Sequence, residues 1–173
     1  MIIPGTNLVK RNHSILMIFG TILLVMSHVP AFAQEKPKKP IEVTVSPSQH
    51  LSFGTFIQSG TSGTVTVSAQ GGRTATGSVI LSNISSIVTP ALFEVKAHPH
   101  TLITIVNGPY ATLTGSNEGT LTLHIGDSDP QSPFTTKSAY TTVTIGGTLI
   151  VGSLLTNPEG VYSGTFTVTF IEQ

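Results

Sequence analysis

Thr141-Thr142-Val143-Thr144-Ile145-Gly146-Gly147-Thr148-Leu149-Ile150-Val151 is the stretch on which the fold turns. Thr142 and Thr144 alternate with Val143 and Ile145, a period of two that sends apolar side chains to one face and hydroxyls to the other, as a half-buried strand requires. β-Branched residues suit that pleated surface. Gly146-Gly147 interrupts the run. Glycine accepts the positive φ of a two-residue turn without a Cβ clash, so the spacing predicts a tight hairpin there.

The same pattern extends in both directions. Ile41-Glu42-Val43-Thr44-Val45 and Thr64-Val65-Thr66-Val67-Ser68 alternate, and Leu121, Leu123 and Ile125 share one face while Thr120, Thr122 and His124 share the other. Gly71-Gly72 predicts a turn between the strand 64–68 and one around 78–81. Tyr162 to Phe170 is the most regular run, with Phe166, Val168 and Phe170 on one side and Thr165, Thr167 and Thr169 on the other. About ten such strands, punctuated by Gly, Pro, Asn and Asp and free of helical periodicity, predict an all-β fold, an antiparallel β-sandwich. A β-solenoid would need a repeat of fixed length, and the intervals between strands vary.

The first forty residues read differently. Lys10 and Arg11 precede an apolar run from Ser14 to Val29, and Ala31-Phe32-Ala33 offers the small residues of a cleavage site, so a secretory signal peptide over 1–33 is expected, cleaved before Gln34. The apolar run, about 16 residues, is shorter than the roughly 20 that cross a bilayer. A Lys/Pro spacer follows at 34–40, and the β-domain occupies 41–173. The expected destination is the periplasm, cell surface or extracellular space, with no membrane span after cleavage. The chain has no cysteine, so packing and backbone pairing must hold the domain without disulfides.

Cleavage leaves six Lys and Arg against eight Asp and Glu, a net charge of −2, and three of those cations are Lys36, Lys38 and Lys39 in the spacer. So little basic surface argues against nucleic acid as a partner. Motifs for serine nucleophiles, zinc hydrolysis and phosphate binding are missing, and no enzyme activity and no cofactor are expected. His98-Pro99-His100 would aim two imidazoles to one side of an extended segment. With His124 as a third ligand they are the candidates for a metal. Gly126-Asp127-Ser128-Asp129-Pro130 offers alternate carboxylates, but its composition is that of a turn. Tyr110 and Tyr140 are the aromatics to consider for a sugar platform, because Phe93, Phe166 and Phe170 take the inward phase.

Four segments in order carry a resemblance: Leu51-Ser52-Phe53-Gly54, Gly63-Thr64-Val65-Thr66-Val67, Gly146 to Val151, and Gly160 to Val168. Together they resemble the exported bacterial family known as domain of unknown function 4402, over Ile41 to Phe170. That resemblance implies an immunoglobulin-like, pilin-like β-sandwich, similar in layout to chaperone–usher pilins and spore-coat-like domains. In those pilins a glycine stands where this chain has Gly160, and an aromatic residue is penultimate, where this chain has Glu172. The expected role is a non-enzymatic structural or adhesive protein, fimbrial-like, with protein partners, itself included, bound by β-strand pairing. Ile41, Val43 and Val45 are the candidates for a donated strand. The alternative is a binding module for a small ligand, metal or glycan, through His98, His100, His124 or the tyrosines.

Overall fold

Alternating β-branched residues build strands throughout the computed structural model, which describes residues 41–45, 49–84 and 87–173. These fall within a unit spanning Lys39–Gln173. The expected signal peptide (1–33) and Lys/Pro spacer (34–40) lie outside the described residues. In chain order the strands are β1 (Glu42–Val45), β2 (Ser52–Phe53), β3 (Phe56–Val67), β4 (Arg73–Leu81), β5 (Val88–Thr89), β6 (Ala91–Lys96) and β7 (Leu102–Asn107). Then come β8 (Ala111–Gly115), β9 (Thr120–Asp129), β10 (Phe134–Thr135), β11 (Tyr140–Val151), β12 (Tyr162–Ser163) and β13 (Val168–Glu172). Among the described residues no helix is long and apolar enough to cross a membrane.

Among the described residues all strand pairs are antiparallel. The large sheet runs β1-β6-β11-β9-β8-β12, with β3 paired to β11 and β4 to β3; β10-β7-β13 and β2-β5 form smaller sheets. The expected hairpin at Gly146-Gly147 is not there: β11 continues through both glycines as one strand of 12 residues. A two-residue turn would have set Ile145 opposite Thr148, apolar against polar. The straight strand instead keeps Val143, Ile145, Gly147, Leu149 and Val151 in one phase, and all five are buried. The turn at Gly71-Gly72 does form, closed by Ser68 N–H to Gly72 O at 2.8 Å and Gly71 N–H to Ser68 O at 2.9 Å.

Along one edge β11 pairs first with β6, over Tyr140 to Ile145, and then with β3, over Gly147 to Val151. β9 follows the other edge. Two strands sharing one edge end to end must diverge, so the sheet curls into a half-barrel. The β3–β4 hairpin completes the curl. Ser82 lies nine residues beyond Arg73, about 30 Å along a straight strand, yet Arg73 Nη2 donates to Ser82 O at 2.8 Å. The hairpin folds back where its register shifts between Gln58 and Gly63, opposite Gly77 at φ 64°. Arg73 Nη1 also donates to Phe53 O at 3.0 Å and Thr55 O at 3.2 Å, fastening the corner made by Gly54 at φ 68°.

The regular run 162–170 is likewise divided. Tyr162 and Ser163 pair with β8, residues 164–167 leave that sheet, and β13 pairs with β7. Phe166, Val168 and Phe170 still pack on the core, and Phe170 lies 5.5 Å from Phe93, joining the three-stranded sheet to the inner face of the large one. Val65, Val95, Ile103, Val143 and Ile145 are fully buried at its centre. Burial of such side chains contributes about 1.5–3 kcal/mol each.

Gly146 is the most constrained point of β11. A Cβ there would lie 2.3 Å from Val67 O and 2.8 Å from Ser68 C, both backbone, whereas one at Gly72 would meet only the Ser68 hydroxyl at 3.3 Å. In urea denaturation Gly146→Ala is expected to lose more than about 2 kcal/mol of stability and Gly72→Ala less than about 1 kcal/mol.

Candidate functional site: an apolar groove beside free sheet edges

Where β3 and β4 curl away from β11, the core stays open to solvent. A groove of about 740 Å³ runs between the β2–β3 corner and the connection after β11, lined by Leu51, Phe53, Phe56, Leu149, Val151 and Tyr162. Around its mouth Ile57, Ile87 and Val161 are 56%, 74% and 77% exposed. These apolar groups gather at one open rim rather than standing singly over the surface.

Polar side chains hold the walls. Asn157 is buried in the 152–161 connection. Its Oδ1 accepts from Gly152 N–H, and its Nδ2 donates to Thr120 O and, at 3.0 Å, to Thr156 O. Gln58 Nε2 donates to Gly152 O at 2.5 Å and Gly60 O at 3.3 Å, tying β3 to that connection, while its Oε1 is buried without a hydrogen-bond partner. Tyr162 Oη donates to Pro158 O at 2.6 Å. Burial disfavours the phenolate and raises the Tyr162 pKa above its ordinary value of 10.

Sheet edges frame the same unit. Among the described residues no strand pairs with the outer edges of β1, β4, β12 or β13. β1 lies against β6 with Glu42 facing Lys96, Val43 facing Val95 and Val45 facing Phe93. Ile41 packs against the core. The Lys96 ammonium bonds Glu42 Oε2 at 2.8 Å, and that contact raises the Lys96 pKa. Tyr140 is exposed, its ring 5.9 Å from the same ammonium.

The histidines separate. His98 and His100 lie in the connection from β6 to β7, not on an extended segment: His100 takes φ 66° and its N–H bonds Thr136 O at 2.7 Å. His124 is on β9 opposite Thr148, whereas Lys96, just before His98, faces Tyr140. Eight residues of β11 put them about 26 Å apart. Among the described residues no three His, Asp or Glu side chains gather where they could hold a metal ion. Asp127 and Asp129 also differ from expectation, standing in β9 rather than in a turn. Tyr110 meets His124 edge to face, with centroids 4.9 Å apart.

Gln58 and Asn157 escape sequence reasoning because their roles depend on contacts 94 and 37 residues away. The rim left a signal: Ile57 and Val161 are apolar where a solvated position predicts polarity. Asn157→Ala is expected to cost about 1–3 kcal/mol in chemical denaturation, because it strands buried backbone groups. For Tyr162, the protonated phenol favours the fold. That contribution is fully present below pH 10 and is lost as pH rises through the raised folded pKa. Stability measured from pH 8 to 11.5 should therefore fall less in Tyr162→Phe than in the parent.

No curated protein and no solved structure matches the chain. A family profile does, over residues 43–171, which takes in all but the first residue of β1 and the last of β13. The groove, the curled hairpin and the edges are thus features of a chain that belongs to the family described as Domain of unknown function (DUF4402).

Proposed function

We propose that this protein is a non-enzymatic, exported structural or adhesive subunit, an immunoglobulin-like or pilin-like β-sandwich that joins its neighbours by β-strand pairing. The observation that carries this reading is β1. Its register with β6 is four residues long, and its one ion pair, Glu42 to Lys96, is exposed on both sides, where such pairs contribute little. A strand held so lightly exchanges at low cost, because the bonds it leaves in its own chain re-form on the next one. Ile41, Val43 and Val45 are then the donated residues.

Polarity favours chains of subunits over closed pairs. β1 lies beside the part of β6 that faces Tyr140 to Val143, and the groove opens at Leu149 and Val151, toward the other end of β11. A contact that uses different patches on the two partners passes head to tail from subunit to subunit, into a ring where the rotation closes and a filament where it does not. The apolar rim at Ile57, Ile87 and Val161 gives the neighbour a surface to cover. The signal peptide expected at 1–33 favours export, and the separation of His124 from His98 and His100 speaks against the metal-binding alternative.

The native chain has no cysteine, so an introduced pair reports on exchange without interference. The full chain carrying both Glu42→Cys and Lys96→Cys, expressed in an exporting host and oxidised, is expected to give a ladder on a non-reducing gel. Negative-stain images of the parent should show fibres. A single internally bridged monomer at every concentration would overturn the proposal.

A further inference from the structure

The outer face of the large sheet carries a feature that strand exchange does not use. Register aligns Thr74, Thr66, Thr148 and His124 in one rank across β4, β3, β11 and β9. The next rank is Thr76, Thr64, Ile150, Thr122 and Thr112, ending on β8. Hydroxyls meet within the ranks, Thr64 with Thr76 at 2.7 Å and Thr66 with Thr148 at 2.9 Å. Tyr110, 64% exposed, extends the first rank, its ring nearly perpendicular to that of His124 at 78°. From Thr66 to Tyr110 the rank measures about 14 Å at ordinary strand spacing.

A bulge then changes what stands beside it. Between Ile145 and Gly147 β11 advances two residues while β9 advances three, from Ser128 to Ile125. The extra residue inverts the phase of β9, so that Asp127 and Asp129 emerge on the same face as His124. Next to them lies a polar cleft of about 680 Å³, within the range of ligand sites. Gln70 Nε2 reaches Asp129 Oδ2 across it at 3.3 Å, and Asn107 Nδ2 donates to Gly126 O at 3.0 Å on its border.

We propose that this rank and cleft bind a neutral carbohydrate chain. An exposed tyrosine ring offers a face to the C–H surface of a sugar, and hydroxyl, amide and carboxylate groups at strand spacing supply both donors and acceptors for sugar hydroxyls. Charge selects against polyanions. Of the cations among the described residues, Arg73 is turned onto backbone carbonyls, Lys96 bonds Glu42, and Lys137 lies in the connection from β10 to β11. Asp127 and Asp129 are the charges beside the rank, and farther along the same face stand the acidic Glu94 and the mutually paired Lys96 and Glu42. Sheet twist of roughly 20° per strand denies the ranks a planar lattice, which suits a flexible polymer rather than a crystal surface.

The test is affinity electrophoresis of the full chain through gels containing hydroxyethylcellulose, mixed-linkage β-glucan, galactomannan or dextran, with heparin as the polyanion. Retardation by at least one neutral polymer is expected, weakened about tenfold in Tyr110→Ala and changed less than about threefold in Tyr110→Phe, which keeps the ring. Tyr110 is exposed, so the melting temperature should hold in both variants. Three results would overturn the proposal: no retardation in any neutral gel, retardation unaffected by both Tyr110→Ala and Asp129→Ala, or stronger retardation by heparin.

Discussion

The two-fold use of one edge of β11 is the constraint on which the rest of the unit depends. β6 takes Tyr140 to Ile145 and β3 takes Gly147 to Val151. Gly146 is the hand-over residue. There the backbone of Val67 to Ala69 comes within 2.9 Å of where a Cβ would stand, so any side chain would push β3 off the edge. Once β3 and β6 are both attached, they cannot continue in one plane. β3 and β4 must curl, and the arginine at the start of β4 becomes the fastening, bonded to carbonyls of Phe53, Thr55 and Ser82. Guanidinium suits that task because its planar fork presents several donors and keeps its charge.

The groove follows from the same geometry. A sheet that curls around a core without closing leaves a mouth, and here the mouth is propped by polar contacts to backbone rather than filled by an apolar plug. Asn157 spans Gly152 and Thr120, Gln58 spans Gly152 and Gly60, and Tyr162 anchors Pro158. These bonds are directional and fix the separation of the walls. Apolar contacts alone would let the walls collapse onto each other, since burial rewards any arrangement that hides the same area.

Strand periodicity was legible almost everywhere. The inward phases of Val65 and Val67, of Leu121, Leu123 and Ile125, and of Phe93 are where alternation puts them. What alternation cannot show is where a strand ends or changes partner. At Gly146-Gly147 local turn preference pointed to a hairpin, yet the unbroken odd-numbered phase from Val143 to Val151 was the stronger signal, because a hairpin would have mixed the faces. At Gly164 the break had no such trace. A Cβ there would lie 2.6 Å from Thr112 O, a contact 52 residues away in sequence that forces the chain off one sheet toward another. The Leu51-Ser52-Phe53-Gly54 segment was visible as a motif, but its reason, a left-handed glycine corner gripped by Arg73, needed the fold. The groove stayed hidden for a similar reason, since its lining comes from five separate stretches of chain.

The glycine pair also ties the two candidate surfaces together while keeping them apart. Gly147 faces inward, where a Cβ would meet Leu123 and Leu51 at 3.0 Å, on the groove side of the sheet. Gly146 and the bulged Gly126 lie against each other's backbone, and that bulge brings Asp127 and Asp129 round to the outer face. One short segment thus shapes an apolar inner mouth and a polar outer rank on opposite sides of one sheet. If subunits join through β1 and the groove, the outer rank is left uncovered and recurs once per subunit along the fibre. Repetition compensates for the weak grip of a shallow polar face, because a second site on the same fibre meets its polymer at an effective concentration set by the spacing rather than by diffusion. A structural role and a binding role then reinforce each other: assembly supplies the multivalency that a single exposed tyrosine beside threonines lacks.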